Sequence, residues 1–125
     1  MTRIGLVVHG QPPEQVGGTE GLVSAQAFAL AGAGHEVSVF SGSIVWKPEQ
    51  EVVEETRSDG IAVTRVRRDD LFFERWDKLT NPRVERAYLE WLERTRPELV
   101  HVHHWARLST NLVRLTRARG IPVVL

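Results

Sequence analysis

The sequence has no cysteine. That excludes disulfide staples, thiolate nucleophiles and cysteine-ligated metal from these residues, and agrees with a reducing compartment. It also lacks net charge, with 16 basic against 16 acidic side chains, so no whole-chain field draws it to nucleic acid. Apolar runs are short, none near the roughly 20 residues a membrane helix needs. The start, Met1-Thr2-Arg3, leads into a strand-like run without a signal-peptide cleavage pattern. These absences predict a cytoplasmic protein, at most peripheral to the inner face of a membrane. Internal repeats and low-complexity segments are missing as well. What is present suffices for one domain at most: 125 residues, 42% of them hydrophobic.

The apolar run Ile4-Gly5-Leu6-Val7-Val8 predicts a buried parallel strand. Leu22, Val23, Ala27, Leu30 and Ala31 then recur at helical spacing as far as Gly34. His35 to Phe40 alternates as a second strand, and Gly42 to Gln50 reads as irregular, with an exposed Trp46. Val52 to Arg67 predicts a hairpin turning at Ser58-Asp59-Gly60. Val63 and Val66 fall off its alternation, which predicts a bulge or an early strand end. Arg65 to Arg68, followed by Asp69 and Asp70, reads as a solvated, self-paired surface rather than a phosphate patch. Leu71, Phe72, Phe73 and Trp76 either cover the core or line a pocket.

Asn81-Pro82 marks a helix start, and Val84, Tyr88, Trp91 and Leu92 mark that helix's buried face, with Glu90 and Arg94 paired along it. A strand over Glu98 to His103, a helix over Ser109 to Ala118 capped by Gly120, and a strand over Ile121 to Leu125 complete the pattern. The order predicts an α/β fold: a Rossmann-like, open, mainly parallel sheet with helices on both faces and the hairpin as an excursion. An apolar parallel strand at Leu125 should feed a further helix. Residues 1–125 are therefore expected to be the front part of a longer protein, and the uncovered strand is expected to promote self-association.

Between the first strand and the first helix stands Val16-Gly17-Gly18-Thr19-Glu20. Glycines before a helix either turn a corner or let unpaired amides and the helix dipole meet an anion. Thr19 is the expected N-cap. The loop lacks the P-loop spacing, the dinucleotide fingerprint and an acid at the end of the second strand. This argues against a nicotinamide or flavin cofactor and leaves another phosphate-bearing ligand open. In a parallel sheet the loop after His103 emerges at the same carboxyl edge. Gly17-Gly18 and His103-His104-Trp105 should therefore face one cleft. His103, at the strand end, is placed to hydrogen-bond a ligand or move a proton. His101, deeper in the strand, is expected to be a packed core histidine. The two share a face, but no set of further ligands accompanies them, so no metal is predicted.

Several stretches together resemble the N-terminal domain of family 4 of the retaining glycosyltransferases, enzymes of the two-domain GT-B fold. They are Pro12 to Glu20, Gly34 to Phe40, Asp59 to Val63, Arg96 to Trp105 and Gly120 to Leu125. The resemblance implies a sugar moved from a nucleotide-diphosphate sugar to an acceptor hydroxyl (EC 2.4) with no cofactor. It implies Gly17 and Gly18 at the donor diphosphate and His103 at the donor sugar, as the catalytic residue. Thr19, Glu20, His9, Gln11, His104, Trp105 and Trp46 are then candidates for donor or acceptor contacts. Residues 1–125 would be the acceptor-side domain, with a C-terminal donor-binding domain lying beyond them, so the isolated chain is expected to be inactive. Glu20 is expected to orient or support rather than attack. Two other readings stay open: a non-catalytic Rossmann-like binding or scaffold domain, and a sugar-nucleotide epimerase of the same architecture.

Overall fold

A computed structural model describes residues 1–69, 80–105 and 108–125. Asp70, Leu71, Phe72, Phe73 and Trp76 lie outside the described residues, so their expected roles do too. In chain order the elements are β1 (Arg3–Val8), α1 (Gly18–Gly32), β2 (Glu36–Trp46), β3 (Glu51–Thr56), β4 (Ala62–Arg68), α2 (Pro82–Thr95), β5 (Leu99–Val102), α3 (Leu112–Ala118) and β6 (Val123–Val124). They form a six-stranded sheet in the order β3-β4-β2-β1-β5-β6. Every neighbouring pair is parallel except β3 with β4. Among the described residues no helix is long and apolar enough to cross a membrane.

β1 is central and covered on both faces, which is why it reads as an unbroken apolar run. Ile4, Leu6 and Val8 pack with Val37, Val39, Ile61 and Val63 under Val23 and Ala27 of α1. On the other face Val7, Phe40, Val66, Val100 and Val102 meet Val84, Tyr88, Trp91 and Leu92 of α2 and Leu112 of α3. Asn81 caps α2 as its sequence predicts, its Oδ1 accepting from the backbone N–H of Arg83 at 3.1 Å and of Val84 at 3.2 Å. Tyr88 shares a 2.5 Å hydrogen bond with Thr116, joining α2 to α3. Burial pushes its hydroxyl up to about 12, only partly offset by that bond.

Trp91 of α2 packs directly against Gly5 of β1. A Cβ on Gly5 would stand 2.6 Å from Cη2 of Trp91, a ring only 1% exposed. Gly5→Ala is therefore expected to cost about 1–3 kcal/mol, the usual range for overpacking a rigid core. Gly5→Ala combined with Trp91→Phe, which removes the clashing ring, should recover part of the loss. Denaturant melts of the three variants check this.

Several local expectations are corrected. The second strand runs on through Ser41, Gly42 and Ser43 to Trp46, because these turn-like residues pair with β4 at Ser41↔Arg65 and Gly42↔Val66. Tertiary pairing overrides their weak strand preference. The hairpin forms one end of the sheet, with β4 lying between β2 and β3 and β3 antiparallel at the edge. Its off-pattern Val63 and Val66 come not from a bulge against β3, whose register is continuous, but from burial on both faces. The irregularity lies instead between β2 and β4, from Gly42 to Trp46. Leu22 points outward, 61% exposed, and Val23 takes the buried place on α1. Gly17, not Thr19, is the N-cap residue of α1, with no side-chain cap. Arg94 reaches Glu54 at 3.5 Å rather than pairing with Glu90. The last helix and strand are shorter than expected, at Leu112–Ala118 and Val123–Val124.

Candidate functional site

The strand order reverses at β1, with β2 on one side and β5 on the other. Open parallel sheets bind ligands outside the carboxyl ends of strands at such a switch. The backbone joins the two strand ends there, His103 donating its N–H to the Val7 carbonyl at 2.8 Å. The loop after β1 then begins with His9, Gly10 and Gln11, and the loop after β5 with His103, His104 and Trp105.

Side chains tie these loops together. His9 Nε2 lies 2.6 Å from Glu20 Oε1, in the first turn of α1. The His104 ring meets His9 edge-on, with centroids 4.8 Å apart. Glu20 is 5% exposed, and its carboxylate lies under the place where a Cβ on Gly17 would project. Gly17 itself is extended, at φ −170° and ψ −172°, and no left-handed φ occurs at Gly18. A Cβ on Gly18 would meet nothing within 4 Å. Neither backbone conformation nor internal packing requires glycine at 18, so its bareness leaves the α1 amides open to whatever approaches from outside.

The 10–17 loop is fastened from behind by a residue that reads as surface in the sequence. Arg65 on β4 is 2% exposed. Its guanidinium donates to the carbonyls of Gln11 at 2.8 Å and Pro12 at 2.5 Å, and to Glu55 at 3.3 Å. Arg67 pairs with Glu14 at 2.8 Å, and Ser43 donates to the other oxygen of Glu14. Burial alone would raise the Glu14 carboxyl, but the bonds from Ser43 and Arg67 and the charges of Arg65 and Arg67 outweigh it and hold it below the usual range. The arginine cluster is therefore not the self-paired surface expected: Arg65 and Arg68 are buried, and Asp69 pairs with Arg83 at 2.8 Å.

On the α1 face of β5, His101 and His103 stack at 3.8 Å. Gln26 of α1 bridges them, at 3.1 Å to His101 Nδ1 and 2.5 Å to His103 Nε2. Burial lowers the pKa of both, and His101 lowers that of His103 further. His101 is thus half-buried beside α1 rather than packed in the core.

A family model described as Glycosyltransferase Family 4 matches residues 16–125. The chain belongs to glycosyltransferase family 4. Comparison with curated proteins gave no match. Among solved structures the family 4 chain is similar to a sucrose-phosphate synthase from Thermosynechococcus elongatus, with TM-score 0.67 and 24% identity over 98% of this chain and 31% of that one. It is similar to the catalytic domain of starch synthase IV from Arabidopsis thaliana bound to ADP and acarbose, with TM-score 0.58 and 19% identity over 96% and 32%. It is also similar to OtsA, with TM-score 0.58 and 15% identity over 96% and 31%. At these identities the likeness is one of fold, that of the N-terminal part of GT-B enzymes. The chain spans about a third of the length of each.

In this family 4 chain the candidate residues divide by what they already hold. Gln11 is 1% exposed, and its amide donates to the carbonyls of Gly10 and Glu20. It therefore braces the loop from within. Thr19 is half-buried, and Gly17, Gly18, His104 and Trp105 are exposed. Trp46 lies at the far end of β2, its indole N–H donating to the Asp69 carbonyl at 3.1 Å. Arg65 and Gln26 are absent from the sequence-based candidates, although Gln26 has a signal: a lone amide between Val23 and Ala27 on a helix with one charged residue.

The histidine pair makes stability depend on pH. Both pKa values are lowered from 6.5 in the fold, so the unfolded chain takes up protons first as pH drops. The contribution is whole above 6.5 and is lost as pH falls through the folded values. Glu14, lowered from 4.5, adds a second loss below that value. Thermal melts from pH 7.5 to 2.5 should show both stages, and a His101→Gln/His103→Gln variant should lose the upper one.

Proposed function

We infer that the whole protein transfers a sugar, with retention, from a nucleotide-diphosphate sugar to an acceptor hydroxyl, and that residues 1–125 are its acceptor-side N-terminal domain. The observation that carries this is Gly17-Gly18: a glycine pair opening α1 at the strand-order switch, its second member required by neither φ nor packing. As the glycosidic bond breaks, charge grows on the leaving diphosphate. Amides at the N-terminus of a 15-residue helix are suited to stabilise it. His103 stands on the same helix's inner flank, beside Gln26, where it would meet the donor sugar. Glu20 is held by His9, which supports an orienting role over nucleophilic attack. A C-terminal domain would bind most of the donor, so the isolated chain should be inactive, and Leu125, 70% exposed, should favour its self-association.

The experiment uses the full-length protein with UDP-glucose, ADP-glucose and GDP-mannose, following nucleoside diphosphate release and the anomeric configuration of the product. Gly18→Val should reduce use of the donor by about tenfold or more with every acceptor, because its branched side chain stands between the amides and the diphosphate. The fold should persist, since nothing surrounds the new side chain. Epimerised sugar without transfer, or no binding of any of the three donors, would overturn the reading.

A further inference from the structure

Gln26 lies about two turns into α1 and touches both histidines at the end of β5. Its Nε2 donates to His101 Nδ1 at 3.1 Å, and its Oε1 accepts from His103 Nε2 at 2.5 Å. An amide nitrogen only donates and an amide oxygen only accepts. The two bonds therefore set both tautomers: Nδ1 of His101 is bare, and the proton of His103 sits on Nε2. The rings stack with 29° between their planes, so neither turns without disturbing the other. With Nε2 of His103 engaged by Gln26, the ring nitrogen left for a ligand is Nδ1, which makes no hydrogen bond among the described residues.

We propose that Gln26 is a positioning residue that holds His103 as a hydrogen-bond acceptor, so that the group recognised there is a free sugar hydroxyl donating to His103 Nδ1. The identity of the ligand as a sugar rests on the glycosyltransfer reading above; the bridge does not. A neutral His103 suits this role, and burial together with the stacked His101 favours that form. Deoxy, O-alkylated or deoxyfluoro sugars at that position offer no proton to donate and should be rejected. Because α1 carries Gly17-Gly18 at its start and Gln26 further along, one helix would both meet the diphosphate and aim the histidine.

Two measurements on the full-length protein test this. In protein labelled with ¹⁵N-histidine, long-range ¹H–¹⁵N correlation should show His103 protonated at Nε2, with that proton protected from exchange. Gln26→Leu should abolish the protection, and Gln26→Glu, whose carboxylate still accepts, should restore it. Backbone amide spectra report whether each variant is folded. If Gln26→Leu does not fold, Gln26→Glu and Gln26→Asn carry the test, the shorter Asn being expected to lose the protection. The second measurement is kcat/KM for UDP-glucose, ADP-glucose and GDP-mannose and their singly deoxyfluorinated forms. One fluoro substitution should cost the wild type at least about tenfold and Gln26→Leu less than about threefold.

An unprotected Nε2 on His103 in the wild type overturns the proposal. So does a folded Gln26→Leu that discriminates among the fluoro sugars as the wild type does. A wild type that uses none of the three donors overturns the glycosyltransfer reading and the sugar assignment with it, and the bridge is then decided by the proton spectrum.

Discussion

Arg65→Met is expected to destabilise the fold by about 3 kcal/mol, because it removes the guanidinium that binds two loop carbonyls and loosens an ion-pair cluster. The substitution keeps most of the apolar stem volume. It leaves the carbonyls of Gln11 and Pro12 without the guanidinium that binds both, and takes one cation from beside Glu14. Glu55 is 43% exposed and rehydrates, so little of the loss comes from that pair. The melting temperature should fall by roughly 10 °C. The effect should be visible locally as well, as faster proteolysis within residues 11–17, since the latch holds that loop to β4. Arg65→Lys keeps the charge but not the fork that spans two carbonyls, and should recover only part of the stability. If Arg65→Met melts like the wild type with an equally resistant loop, the latch contributes nothing.

The second large effect is on rate. In the full-length protein His103→Ala should lower turnover by about 10²-fold, the usual scale for a positioned polar group acting in the transition state. Its stability should fall little near neutral pH, because His103 is only partly buried at a strand end and its partner Gln26 keeps His101. His101→Ala provides the contrast, with loss of the stacked ring disturbing His103 indirectly and costing less in rate. Initial rates and melts on both variants separate the roles. Normal turnover by His103→Ala together with a lowered melting temperature would make His103 a purely structural residue.

The elements legible in the sequence are those whose signals are local. The apolar run of β1, the Asn81-Pro82 start of α2, the turn at Gly60 (φ 85°) and four of the five buried residues of α2 each depend on neighbours in the chain. Trp46 is exposed as expected, but the strand that reaches it and the burial of Arg65 were not legible in the same way. Whether Ser41-Gly42-Ser43 forms a turn or a strand depends on β4 lying beside it, and nothing in that tripeptide announces β4. The α1 helix is apolar on nearly all sides, so its periodicity could not decide between Leu22 and Val23 as the inward residue; contact with Val37, Val39 and Val63 decides for Val23.

For the candidate site the division is similar. By itself the sequence determined the class of fold, the glycine pair before α1, and the placement of His101 and His103 on one face of a strand ending at the carboxyl edge. Each follows from a period of two or 3.6 residues and from glycine's missing side chain. Only the tertiary structure decided which groups those residues hold. Gln26 joins His103 across 77 positions of sequence, and Arg65 joins Gln11 across 54. Such bonds follow from α1 lying over β1 and β2, within reach of the end of β5, and from the register of β4 beside β2. These are set by how two apolar faces pack against a twisted sheet, not by any short stretch of residues.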